Sequence, residues 1–228
     1  MNDTPQVLIF SNYLENEEWK KIKNYTEEMS EQFGYLGSGD SPVRFKKVKH
    51  SRLPHIEYER CFILSQDEYE SILRKERDEP YPESMGNETD WKALTHSPST
   101  TAISELLLKT IHKSQSIISN IFGHRTVWEF GPFITMYGEG KSLRVHCDGY
   151  QYGLPGYPQT DYSTVYYIND DYEGGEYILP ALGLTYRPVA NSLLMISNSS
   201  HEDMAHGVAP VTAGKRYTCS GFFTVDNG

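Results

Sequence analysis

Cysteine is scarce in this chain: Cys61, Cys147 and Cys219 are the three among 228 residues. An odd number without paired spacing argues against a disulfide framework and a zinc ribbon, and makes a reducing compartment the simpler setting. Long apolar runs are missing as well. No stretch nears the ~20 residues of a membrane helix, and residues 1–10 lack the basic start and apolar run of a secretory leader. A soluble, cytoplasmic chain is the expectation. Positive charge is outnumbered, 21 Lys and Arg against 31 Asp and Glu, for a net charge of −10 and a pI near 5.3. Nucleic acid and anionic membranes are therefore disfavoured as partners. Internal repeats and low-complexity tracts are also lacking.

What is abundant is tyrosine, 17 residues, which suits strands and turn-rich surfaces better than a helical bundle. The length allows a single domain over 1–228, with a strand, helices and loops in 1–126 supporting a β core in 127–228. Val7–Phe10 reads as a short strand. Asn16 can cap a helix that opens with Glu17 and Glu18, carries Trp19, Ile22, Tyr25 or Thr26, Met29 and Phe33 at helical spacing, and stops at Gly34. Prolines 42, 54, 80, 82 and 98 interrupt the next segment. Within it Arg44, Lys46, Lys47, Lys49 and Arg52 form a basic run, either a guarded edge strand or a surface that steers an acidic ligand. Cys61–Leu64 reads as a strand, 66–77 as a charged helix and 78–90 as a loop. Ser99 or Thr100 opens the longest helical pattern, with Ile103, Leu106, Leu107, Ile111, Ile117, Ile118 and Ile121 on one face and Gly123 past its end.

Beyond Gly123 the period changes to two. Strands are expected at Val127–Phe130, Phe133–Tyr137, Leu143–Gly149, Ser163–Asn169, Gly175–Leu179, Leu184–Tyr186, Ser192–Ile196 and Arg216–Val225. Short strands at regular spacing with Gly, Pro and Asn turns predict a sandwich or jelly roll. Tyr150–Tyr162 is too rich in Tyr, Gly and Pro for a regular element, and such loops beside a rigid site often carry substrate contacts.

The chemistry centres on His146 and Asp148. Two residues apart on a strand, their side chains point to the same side, and Cys147 between them points to the other. Such a pair alone arises readily by chance among 8 His and 31 acidic residues. A third histidine would complete two imidazoles and one carboxylate on one face of a metal, the arrangement of non-haem Fe(II) oxygenases. His201 and His206 both compete for that place, whereas His50, His55, His96, His112 and His124 have no partner pattern. Arg216 lies where a following strand could carry its guanidinium inward, and a buried arginine fork suits a carboxylate.

As an ordered set, Tyr137-x-x-Gly140-x-x-Leu143-x-x-His146-x-Asp148, Val165–Asn169, Gly174-Gly175-Glu176 and His206-x-Val208-x-Pro210-Val211-x-x-Gly214-x-Arg216-Tyr217 resembles the prolyl 4-hydroxylase-like branch of the Fe(II)- and 2-oxoglutarate-dependent oxygenases. The resemblance spans roughly residues 127–225, with the opening strand and helix also similar. It implies a mainly β fold with flanking helices around a double-stranded β-helix, a cupin-like jelly roll. It implies Fe(II) on His146, Asp148 and His206, since only His206 has the Val, Pro and Arg at the family's spacing. Arg216 would hold the distal carboxylate of 2-oxoglutarate, where the collagen-modifying enzymes have lysine, and Lys215 would face outward. Tyr137 and Tyr167 match positions that hydrogen-bond the cosubstrate, the alternative being interior packing, and Glu176 matches an architectural acid. The implied reaction consumes 2-oxoglutarate and O2, with ascorbate as reductant, and hydroxylates an unactivated C–H bond, giving succinate and CO2. A prolyl residue in a peptide or protein is the expected substrate; a free amino acid or small metabolite, or a catalytically silent binding module, are the alternatives. The acidic charge and the arginine spacing do not fit a nucleic-acid demethylase.

Overall fold

Fourteen strands and two α-helices make up the computed structural model over the residues it describes: 7–33, 46–50, 53–62, 98–130, 133–148, 160–198 and 203–226. The N-terminal part supplies β1 (Val7–Phe10), α1 (Asn16–Phe33), β2 (Lys46–His50), β3 (Leu53–Phe62) and α2 (Pro98–Phe122). The core follows with β4 (Thr126–Phe130), β5 (Phe133–Tyr137), β6 (Leu143–His146), β7 (Tyr162–Tyr167), β8 (Glu173–Gly174), β9 (Tyr177–Leu179), β10 (Leu184–Tyr186), β11 (Ser192–Ser197), β12 (His206–Val208), β13 (Val211–Ala213) and β14 (Arg216–Val225). An eight-stranded sheet runs β1-β11-β7-β14-β5-β3-β2, with β4 also on β14; a four-stranded sheet runs β10-β9-β12-β6; and β13 pairs with β8. This is the antiparallel double-stranded β-helix that the resemblance implies.

The middle strands of the larger sheet are buried on both faces, so successive positions carry apolar or aromatic residues, as at Leu193–Ile196 of β11 and Val165–Tyr167 of β7. In β7, Tyr162 and Tyr166 belong to a core shared with the helices, whereas Val165 and Tyr167 belong to a second core inside the barrel. Strand β11 divides the same way, Leu193 and Met195 toward the helices, Leu194 and Ile196 toward the smaller sheet. Alternation with period two thus feeds two cores from one strand. Each buried aliphatic side chain contributes about 1.5–3 kcal/mol relative to exposure.

The helices cover the outer face. Helix α2 buries Ile103, Leu107, Thr110, Ile111, Ser114 and Ile118, while Leu106 and Ile117 are partly covered. Ile121 departs from the expected face and is half exposed, and its neighbour Phe122 packs against Tyr162 of the sheet instead. Helix α1 buries Ile22, Tyr25 and Thr26, and Trp19 donates its indole N–H to the Ile168 carbonyl at 2.7 Å. Its cap is Glu15 rather than Asn16, since the Glu15 carbonyl accepts the Glu18 and Trp19 amides and Asn16 already belongs to the helix. Asn191, in a left-handed conformation (φ 56°), ties this region to the core. Its side chain accepts from the Leu14 amide and the Tyr166 hydroxyl and donates to the Leu14 carbonyl.

Lys46, Lys47 and Lys49 of the basic run lie in the edge strand β2, which ends the larger sheet, while Arg44 and Arg52 fall outside the described residues. The Cys61–Leu64 strand is longer than expected and begins at Leu53; Ile63 and Leu64, the helix at 66–77, the loop at 78–90, most of the 150–162 loop, and His96 and His201 fall outside the described residues. Among the described residues no helix is long and apolar enough to cross a membrane.

Candidate metal centre

Strand pairing delivers two of the three expected ligands to one point. In the β6–β12 ladder His206 stands opposite His146, and their rings lie 4.6 Å apart. Gly207 makes the approach possible: a Cβ there would sit 2.7 Å from the Leu143 carbonyl oxygen and 3.1 Å from the Val145 amide. Strand β6 ends at His146, and Asp148 lies in the bend just beyond it, with its carboxylate on the same side as the His146 imidazole. Cys147 between them is buried.

The ligand atoms of His146, Asp148 and His206 all lie within 4.8 Å of one another. Asp148 offers Oδ1 to His146 Nε2 and Oδ2 to His206 Nε2, each at 3.5 Å. Both histidines are oriented alike from behind. His146 Nδ1–H donates to the Arg144 carbonyl at 2.9 Å, and His206 Nδ1–H to the Met204 carbonyl at 3.0 Å. With Nδ1 protonated and engaged, each Nε2 keeps its lone pair for a cation. Tyr177 stacks on the His206 ring at 5.1 Å and 16° and fixes its plane.

Burial and charge oppose each other here. Burial pushes the Asp148 carboxyl up, but the imidazoles of His206 and His146 and the Ser163 hydroxyl outweigh it and hold the group well below the usual carboxylate range. For His146, burial pulls down and Asp148 pulls up more strongly, so its pKa rises. For His206, burial and the neighbouring His146 win over Asp148, so its pKa falls. An ionised carboxylate and a neutral imidazole are the states that a divalent metal needs. The donor set of two imidazoles and a carboxylate fits Fe(II).

Arg216 lies deeper, 1% exposed, opposite Tyr137 in the β14–β5 ladder. Its guanidinium is 5.4 Å from the Tyr137 ring and 5.2 Å from the Tyr167 ring. Among the described residues no carboxylate pairs with it, and its Nε has no hydrogen-bond partner. A buried cation without a counter-charge is costly, so the pocket fits an anionic group. Tyr137 and Tyr167 are both buried, and the Tyr167 hydroxyl faces the Arg216 guanidinium. Lys215, next in sequence, faces outward and donates to Ser30 Oγ at 2.9 Å. Glu176 pairs with Arg187 at 3.6 Å, an architectural contact.

Two residues at the site carry no motif in the sequence. Tyr177 feels the charges of both Asp148 and Arg216, so it spans the two halves of the site. Alternation from Gly175 would have placed it: Gly175, Tyr177 and Leu179 are buried while Glu176 and Ile178 are partly exposed. Tyr172, also buried, turns its hydroxyl toward Arg216.

Comparison with known proteins agrees with this geometry. Residues 132–224 match the family model of the 2OG-Fe(II) oxygenase superfamily. Human prolyl 3-hydroxylase 2 is 43% identical over 75 residues, which are 32% of this chain and 11% of that protein, so the chain matches only a small part of the curated relative. Among solved structures, the viral collagen prolyl hydroxylase of Paramecium Bursaria Chlorella virus-1, in complex with 2OG, superposes with a TM-score of 0.57 at 12% identity over 95% of this chain and 94% of that one. A prolyl hydroxylase from Trichoplax adhaerens, solved with a hypoxia inducible factor peptide fragment, gives 0.53 at 14% identity over 95% and 82%. At these identities the two structures speak for the fold.

Proposed function

We infer that this chain, whose residues 132–224 match the family model of the 2OG-Fe(II) oxygenase superfamily, is an Fe(II)- and 2-oxoglutarate-dependent dioxygenase that hydroxylates a prolyl residue of a peptide or protein. The observation that carries the reading is the pairing of the His146, Asp148 and His206 cluster with a buried Arg216 that lacks a counter-charge. His146, Asp148 and His206 would hold the metal through Nε2, a carboxylate oxygen and Nε2. Bound there, Fe(II) supplies the activation of O2 and the oxidation of the C–H bond, with one oxygen atom going to the product hydroxyl and one to succinate, and CO2 released.

The residues of the chain do the positioning. Arg216 receives the distal carboxylate of the cosubstrate in its planar fork. The Tyr137 and Tyr167 rings wall the guanidinium off from solvent, which strengthens its hold on an anion. The carbonyls of Arg144 and Met204 keep the two imidazoles in the tautomer that leaves Nε2 available. The prolyl substrate is supported by the sequence likeness to prolyl 3-hydroxylase 2 over 75 residues.

Incubation with proline-containing peptides, Fe(II) and 2-oxoglutarate, followed by mass spectrometry, tests the reading. The expected result is addition of one oxygen to proline with stoichiometric succinate. Succinate formation without peptide oxidation would move the substrate to a free amino acid or another small molecule. No succinate under any condition would overturn the reading.

A further inference from the structure

Backbone carbonyls aim both imidazoles of the metal cluster, whereas Asp148 lies past the end of β6, outside the ladder that sets His146 against His206. Its carboxylate is held from the other sheet. Ser163, the second residue of β7, is 3% exposed, and its hydroxyl hydrogen-bonds the Asp148 carboxylate. Behind it stands Asn198, also 3% exposed, whose Nδ2–H donates to Ser163 Oγ at 2.9 Å. The three side chains run in a line from the end of β11, through β7 of the larger sheet, to the bend after β6 of the smaller one.

Packing alone does not call for this line. With period two, Ser163 falls on the barrel face of β7 with Val165 and Tyr167, and Asn198 continues the barrel face of β11 after Leu194 and Ile196. Ser163 pairs with Ile196 in the ladder, so the amide of Asn198 arrives two residues further on. Their barrel-face neighbours are apolar, and a hydroxyl and an amide buried among them are costly unless hydrogen-bonded. Nor does the chain path depend on the Asn198 side chain. The Asn198 backbone N–H donates separately to the Asp161 carbonyl at 2.7 Å.

The order of donors and acceptors gives the line a direction. A serine hydroxyl has a single hydrogen and can also accept. Because the Asn198 amide donates to the Ser163 oxygen, that hydrogen is left for Asp148. The contacts of Asp148 with the two imidazoles, each at 3.5 Å, give way when a cation sits among the three ligands, but the Ser163 contact involves no ligand atom besides the carboxylate and persists. We propose, resting on the metal-centre reading above, that Ser163 and Asn198 are positioning residues that hold the Asp148 carboxylate ready for the metal, Asn198 acting through Ser163. Neither touches the metal.

The test is calorimetric titration of the full chain with Mn(II) alone, in the wild type, Ser163→Ala, Asn198→Ala and the double variant. The number of sites per chain reports the folded fraction, and the dissociation constant reports the hold on the metal. Ser163→Ala is expected to weaken Mn(II) about tenfold, the low end of what a ligand's hydrogen-bond partner contributes. Asn198→Ala is expected to act in the same direction and less strongly. The double variant is expected to match Ser163→Ala, because Asn198 has no route to the carboxylate once the hydroxyl is gone, whereas general loosening of the core would make the two losses add. Undiminished Mn(II) affinity in Ser163→Ala overturns the role of the hydroxyl. Undiminished affinity in Asn198→Ala, or additive losses in the double variant, overturns the action of Asn198 through Ser163. Failure of the wild-type chain to bind Mn(II) overturns the underlying metal-centre reading instead.

Discussion

His146 and His206 face each other across the β6–β12 ladder, and each donates Nδ1–H to the carbonyl two residues before it. The two halves of the metal cluster are therefore oriented by backbone. The tautomer of each imidazole is therefore set without a side-chain partner. Asp148 is the exception, a single carboxylate reached through a bend and the only anion of the three. Asp148→Ala should abolish metal-dependent succinate formation while leaving the fold intact, since each histidine keeps its own carbonyl. Retained turnover in an assay of 2-oxoglutarate consumption would remove Asp148 from the cluster.

Gly207 controls how closely the two strands approach. The missing Cβ would stand 2.7 Å from a carbonyl oxygen of β6, a backbone atom that moves only if the strand moves. Gly207→Ala should cost about 2 kcal/mol of stability, in the range for overpacking a closed site. Metal affinity should drop further than that loss alone explains, because the displaced strand carries His206. Urea unfolding of the metal-free protein, set beside Mn(II) titration, separates the two effects. A variant with normal Mn(II) affinity would show that the ladder tolerates the methyl group.

Arg216 presents an opposite case, a residue whose removal should not weaken the fold. Its charge is buried without a carboxylate among the described residues, and an uncompensated buried charge opposes folding. Arg216→Met should leave the melting temperature of the ligand-free protein equal or higher. Added 2-oxoglutarate should raise the melting temperature of the metal-loaded wild type by mass action and have no such effect on the variant. Thermal melts with and without the cosubstrate check both halves. A large loss of stability without ligand would mean that the guanidinium is compensated within the protein.

Parts of this site are legible in the sequence and parts are not, for a physical reason. His146, Asp148, His206 and Arg216 lie in an ordered pattern of Gly, Val and Pro that records close strand approach and turns. Tyr172 and Tyr177 have no such pattern, because their partners, Arg216 and His206, come from β14 and β12, elements distant in sequence. Strand β12 escapes period-two reading because Gly207 breaks its apolar run, although that glycine is what lets β12 pair. Most of β3 escapes it too, since Pro54 and the charged Glu57, Glu59 and Arg60 read as breakers and surface; pairing with β2 and β5 overrides local preference. The two-sided burial of β7 and β11, in contrast, is plain in their runs of apolar and aromatic residues.

The junction between the N-terminal segment and helix α2 sets the behaviour at high pH. The Tyr13 hydroxyl donates to the Thr110 carbonyl at 3.2 Å and shares a hydrogen bond with Ser114 Oγ at 3.0 Å. Burial pushes its pKa up from 10.0 to about 12, the Ser114 contact offsetting only part. A group raised on folding contributes stability that is complete below the unfolded pKa and is lost as pH rises toward the folded one. Stability should therefore be flat to about pH 10 and fall between pH 10 and 12, by about 3 kcal/mol from Tyr13. Tyr162 is also raised to about 12, by burial and by Asp161, and adds to the decline. Tyr13→Phe should lose about 1 kcal/mol at pH 8 with the hydrogen bond, and then decline less steeply than the wild type. Urea titrations at pH 8, 10, 11 and 12 measure the two slopes, and identical slopes would show that Tyr13 ionises as readily folded as unfolded.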